Sequence, residues 1–140
     1  MRTVSLALLL AVAALIAGGC GADDASKAKS TVSTLVSGVA KGDDAKACAQ
    51  LTPAAQRKLL RVLRTGPLGL ASIRASDCRD AIVKLHAALP KVFRNVLVDG
   101  EVDNAKVTGD KATVHVVGAG MTAELQKIDG KWLVTGGLFQ

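Results

Sequence analysis

The residues with the most chemistry in this chain are three cysteines, Cys20, Cys48 and Cys78, and two histidines, His86 and His115. A thiolate serves as nucleophile, metal ligand or half of a disulfide, and histidine is the ordinary acid-base group near neutral pH. Metal binding draws on closely spaced ligand pairs, whereas two isolated cysteines and two distant histidines provide none. No Gly-rich phosphate loop follows a strand-like run, and no Ser sits in a nucleophile elbow. No metal and no cofactor is expected, and catalysis is the minority reading.

Cys20 stands apart by its position. Arg2 supplies positive charge, Val4 to Ala17 is an apolar run with one Ser, and Ala17, Gly18 and Gly19 lead into the cysteine. This is the layout of an export signal rather than of a folded segment. The run is short of the roughly 20 apolar residues that a spanning helix needs. Ile16-Ala17-Gly18-Gly19-Cys20 resembles a bacterial lipobox, although Ala17 stands where Leu is usual. The resemblance implies cleavage after residue 19, a diacylglycerol on the Cys20 sulfur, and an acyl chain such as palmitate on its freed amine. Residues 1–19 are then signal peptide, 20–26 a short tether, and 27–140 one domain that is extracytoplasmic and anchored to the bacterial cell membrane. The alternative is an ordinary secretory signal beside a chance cysteine.

Assigning Cys20 to lipid leaves Cys48 and Cys78 as a pair with nothing over. An exported domain permits a disulfide between them, with two buried free thiols as the alternative.

The elements that must position these groups follow from hydrophobic spacing. Ala28, Val32, Leu35, Val36 and Val39 recur at helical intervals between Lys27 and Lys41, and Gly42 ends that stretch. Asp43 or Asp44 caps a short second helix through Leu51 that carries Cys48. Thr52-Pro53 is a cap followed by a first-turn proline, opening a third helix to about Arg64 that buries Leu59, Leu60 and Leu63 and turns Arg57, Arg61 and Arg64 outward. A break at Gly66-Pro67-Leu68-Gly69 follows. Ser76 or Asp77 caps a fourth helix to Leu89, with Cys78, Ala81, Ile82, Leu85 and Leu89 on one face and Pro90 beyond.

After Pro90 the pattern changes to short stretches: a strand over Val92 to Val98, then three more punctuated by Gly109-Asp110, Gly118-Ala119-Gly120 and Asp129-Gly130. If the turns have two residues each, Ala105, Val114, Leu125 and Val134 share one row, and Val107, Val116, Ala123 and Trp132 share its face. Helices first and an antiparallel meander last, around one core, make an α+β domain. The same register sets His115 beside Glu124 on the face away from the helices, where a surface pair is the favoured reading over acid-base work. His86 flanks a buried stripe without an evident partner. Asp103 and Trp132 are the candidate pocket residues, with Lys127 as the counter-charge to Asp103; an open strand end where both charges reach water is the favoured reading.

This layout resembles the nuclear transport factor 2-like superfamily, in particular its small bacterial lipoproteins. The matching features are the lipobox, an opening helix ending in Gly-Asp, the stretch from Asp44 to Pro53 around Cys48, and a second cysteine opening a later helix. The closing runs Val107 to Val114 and Ile128 to Val134 are similar too. The resemblance implies helices packed on a curved antiparallel sheet, forming a cone with room for a pocket. It implies no particular chemistry, because one fold hosts many functions.

Charge adds the last constraint. Leu51 to Arg94 holds nine basic residues against Asp77 and Asp80. A basic face on a lipid-tethered domain suits anionic headgroups or an acidic envelope polymer, with a solvated helix face as the plainer reading. Nucleic acid is not expected as a partner, since export removes it and no aromatics interleave the basic residues. Two functional expectations result. The first is a non-catalytic binding or interaction domain of the cell envelope, whose partner is an envelope protein, an apolar small ligand or a second copy docked through the sheet. The second is a small-molecule enzyme or carrier using the cone. An apolar pocket would favour the first, and Asp103 converging with a histidine inside it would favour the second.

Overall fold

A computed structural model describes residues 20–66 and 70–139. The expected signal peptide, residues 1–19, lies outside the described residues, as do Pro67, Leu68 and Gly69 of the expected break.

Among the described residues, five helices precede a four-stranded antiparallel meander of order β1-β2-β3-β4. The helices are α1 Cys20–Lys41, α2 Asp44–Ala49, α3 Pro53–Arg64, α4 Cys78–Ala88 and α5 Lys91–Leu97; the strands are β1 Lys106–Thr108, β2 Lys111–Val116, β3 Met121–Ile128 and β4 Lys131–Gly136. The class is α+β, with helices packed on one face of an open sheet.

Local chemistry accounts for the helix starts. The side chain of Asp43 accepts from the Lys46 N–H, that of Thr52 from Ala55 and that of Asp77 from Asp80, so each cap satisfies a backbone donor that the helix itself leaves free. The predicted stripe of α1 is buried throughout, from Ala28 and Val32 to Leu35, Val36 and Val39. It lies across β1, β2 and β4. There it meets the inward row Ala112, Val114, Val116, Ala123, Leu125, Trp132 and Val134, which alternates with exposed residues as a one-sided sheet requires. Cys48 and Cys78, on α2 and α4, hold their sulfurs at disulfide-bonding distance with Cα atoms 6.0 Å apart.

Three expectations are corrected. The segment 20–26, read as a tether, forms the first turns of α1. Asp23 pairs with Lys27 four residues on, and Asp24 is tied to the far end of the sheet, so these turns have partners that local composition does not reveal. Val92 to Val98, read as a strand, is α5: Phe93 faces the pocket described below and Leu97 is buried, one helical turn apart, while Val92 and Val96 face solvent. The β2–β3 connection has four residues rather than two, because Val116 pairs with Met121 and the chain turns through Val117–Gly120 with Gly118 and Gly120 at positive φ. The register therefore slides by two. Val114 faces Ala123 instead of Leu125, and His115 faces Thr122 instead of Glu124. An even slide leaves every side chain on its predicted face, which is why the inward row is unaffected.

The edge of β4 is covered by the α2–α3 connection. Val134 donates its N–H to Gln50 at 2.8 Å and accepts from Thr52 at 3.0 Å. The Thr52-Pro53 start thus seals a sheet edge as well as opening a helix.

Candidate functional site

The sequence-derived candidates do not converge. Asp103 is exposed beyond β1, its backbone N–H donating to the His115 carbonyl. Lys127 is held elsewhere: its ammonium donates to Asp24 at 2.8 Å, and the Trp132 indole N–H reaches the same carboxylate at 3.1 Å. These two donors, Lys127 first, hold the Asp24 carboxyl below the usual carboxylate range. Thr31, also on α1, donates to the Trp132 carbonyl at 3.1 Å. Lys127 and Trp132 therefore clamp the N-terminal turns of α1 onto the sheet, and Trp132 is a core residue rather than a pocket wall. His115 is on the exposed sheet face, 3.4 Å from the Thr122 hydroxyl, and Glu124 stands opposite Thr113.

The concave feature lies at the other end of the core. A cavity of about 510 Å³ opens between α1, α3, α4, α5 and the end of the sheet. That volume falls in the range of small-molecule sites, about 300 to 1,000 Å³. Its walls are Val39 of α1, Leu59 and Val62 of α3, Leu85 of α4, Phe93 of α5 and Phe139 near the C-terminus. Among the described residues no titratable side chain lines it. Two glycines shape its sheet end. At Gly137, with φ +82°, any Cβ would collide with the Thr122 carbonyl, so the chain passes there too closely for a side chain. Gly120 ends the β2–β3 turn at positive φ.

His86 occupies the flank of this cavity. Its Nδ1 lies 3.2 Å from the Val39 carbonyl and its Nε2 lies 3.3 Å from a guanidinium nitrogen of Arg94. A carbonyl only accepts and a guanidinium only donates, so these partners fix the neutral tautomer with its proton on Nδ1. Arg94 also donates to the His86 carbonyl at 3.4 Å.

The sequence leads to a cone with room for a pocket but names Asp103 and Trp132 for it; the lining residues escape that reading because α5, which forms one wall, suits a strand by composition. The His86–Arg94 contact escapes it for the same reason, since only a helix after Pro90 turns Arg94 back toward α4. Among the described residues no three His, Cys, Asp or Glu side chains cluster as a metal site would require, and no helix is long and apolar enough to cross a membrane. No family model, curated protein or solved structure matches the chain.

Proposed function

We propose that this chain is a lipid-anchored, extracytoplasmic domain of the bacterial cell envelope that binds an apolar small molecule and does not catalyse a reaction. The observation that carries the binding half is the lining of the 510 Å³ cavity, made of Leu, Val, Phe and Met side chains with Thr122 and two glycines at the sheet end, and with the ionisable candidates Asp103, His86 and His115 all outside it. Burying alkyl or aromatic surface there is favourable by about 0.8 kcal/mol per methylene, with no desolvated charge to oppose it. In this reading the helices and sheet form the cone of a nuclear transport factor 2-like domain, and the cavity is its mouth. The anchor half rests on Arg2, the apolar run and Cys20, and the Cys48–Cys78 pair accords with an oxidising compartment.

Both halves are open to test on protein from its own host. Intact mass should show loss of residues 1–19 and gain of acyl chains, and a Cys20→Ala version should lack the acyl mass. A retained leader or an unacylated Cys20 overturns the anchor. The neutral fluorophore N-phenyl-1-naphthylamine should brighten on binding, and Val62→Trp, which fills the cavity, should abolish the signal with the unfolding temperature retained. Equal brightening in both proteins overturns the pocket.

A further inference from the structure

We infer that the cavity takes the alkyl chain of a fatty carboxylate, with the carboxylate held by Arg94 beside His86. The inference rests on the apolar-binding reading and names the ligand class within it.

Two independent observations meet at one corner of the molecule. The first is the apolar cavity itself. The second is a half-buried arginine that has no carboxylate partner among the described residues: the side-chain contacts of Arg94 are the ring and the main-chain carbonyl of His86. Of the other cations of the basic segment, Arg79 pairs with Asp44 and Lys84 with Asp80, Arg57, Arg61, Arg64, Arg74 and Lys91 stand exposed, and Lys58 is half-buried as Arg94 is. A partly desolvated guanidinium with donors to spare is an anion receptor, since it presents five N–H groups in a fork that matches a carboxylate.

The two features are joined through the chain. Leu85 and Phe93 line the cavity and are the immediate neighbours of His86 and Arg94. Val39 contributes its side chain to the cavity and its carbonyl to the His86 ring. Arg94 is thus tied to the cavity wall through His86 and Val39. His86 has a positioning role: with its Nδ1 proton given to Val39, its Nε2 lone pair orients the guanidinium instead of competing for the anion. A neutral apolar ligand would leave Arg94 without use, and a cationic amphiphile would be repelled by it.

The test uses the folded mature domain and three amphiphiles of one chain length, dodecanoate, dodecanol and dodecylammonium, each measured by displacement of N-phenyl-1-naphthylamine. Dodecanoate should bind at least tenfold more tightly than dodecanol, and dodecylammonium most weakly, because a charge-assisted guanidinium contact is worth about one order of magnitude or more. Arg94→Gln should erase the difference between dodecanoate and dodecanol while leaving dodecanol affinity as it was. The unchanged dodecanol value shows that the variant is folded and its cavity open. Should Arg94→Gln lose dodecanol as well, Arg94→Lys decides: a restored preference for dodecanoate upholds the inference, and restored dodecanol binding without preference overturns it. Equal affinity for dodecanoate and dodecanol in the native sequence overturns the carboxylate assignment and leaves apolar binding standing. Failure of all three to displace the fluorophore overturns both.

Discussion

Joining Cys48 to Cys78 makes a quantitative claim about stability. The two residues are 30 apart, so the bond closes a 31-residue loop running from α2 through α3 to the first turn of α4. Loop closure of that length removes denatured-state entropy equivalent to about 3.5 kcal/mol at 25 °C in the chain-entropy model. A domain of this size has about 5 to 15 kcal/mol in total, so the bond carries a large share of it. Reduction should therefore lower the urea midpoint by about 1.2 to 3.5 M, given slopes of about 1 to 3 kcal/mol per molar. The assay is far-UV circular dichroism through a urea series with and without reductant. A Cys48→Ala/Cys78→Ala variant, measured alongside, should ignore the reductant and be at least as destabilised as the reduced protein, because both cysteines are almost fully buried and loss of their sulfurs adds a cavity cost. Coincident curves for the native chain with and without reductant, together with a thiol-bearing mass, would refute the bond and remove the structural argument for an oxidising compartment.

Two further outcomes follow from single sites. Gly100→Ala and Gly109→Ala place a methyl at nearly the same positive φ, +58° and +62°, but a Cβ at Gly100 falls 2.4 Å from the Ser33 carbonyl of α1, whereas Gly109 has open space. Thermal or urea unfolding should show about 1 to 2 kcal/mol lost at Gly109 from the left-handed backbone alone, and at least about 3 kcal/mol at Gly100; equal losses would deny the close approach. Asp24 has its folded-state carboxyl lowered by Lys127 and Trp132, so the unfolded chain binds its proton more readily. Its stabilisation is complete above the ordinary carboxylate value of about 4 and is lost as pH falls through the lowered folded value. Asp24→Asn should flatten the fall of unfolding temperature between roughly pH 4 and pH 2, and an unaltered slope would remove the clamp from the acid response.

Much of this fold is written in local patterns that have one physical solution. Thr52-Pro53 satisfies a helix N-terminus in a way few other pairs do, and the alternation from Ala112 to Val116 can bury only one face. The failures occur where a pattern has two solutions. Gly118-Ala119-Gly120 supplies positive φ at two places, so either a two-residue or a four-residue turn can be built on it, and only the sheet's own pairing selects between them. Residues 20–26 are unremarkable alone; they become helix because Lys127 and Trp132, more than a hundred positions away, give Asp24 partners. Long-range polar contacts of that kind leave no periodic trace in sequence.

The same ambiguity explains why the candidate site was hidden. Val92 to Val98 is a short run rich in β-branched residues, which suits a strand by composition and a helix by the Phe93–Leu97 interval. It folds as helix because that geometry buries Leu97 and turns Phe93 toward the cavity, whereas a strand beyond Pro90 would carry its alternate residues away from the helical core. The helical choice has a visible cost: Val92 is 77% exposed, and α5 lacks a side-chain cap. An element that packs on α1 with Leu97 as its single fully buried side chain, and reaches α4 through Arg94, has few anchors, and ligand-admitting walls are drawn from such parts of a structure. The segment whose sequence is least decisive is therefore also the wall of the cavity and the carrier of Arg94. A residue set that packed perfectly there would have been easier to read, and it would have left nothing open to bind.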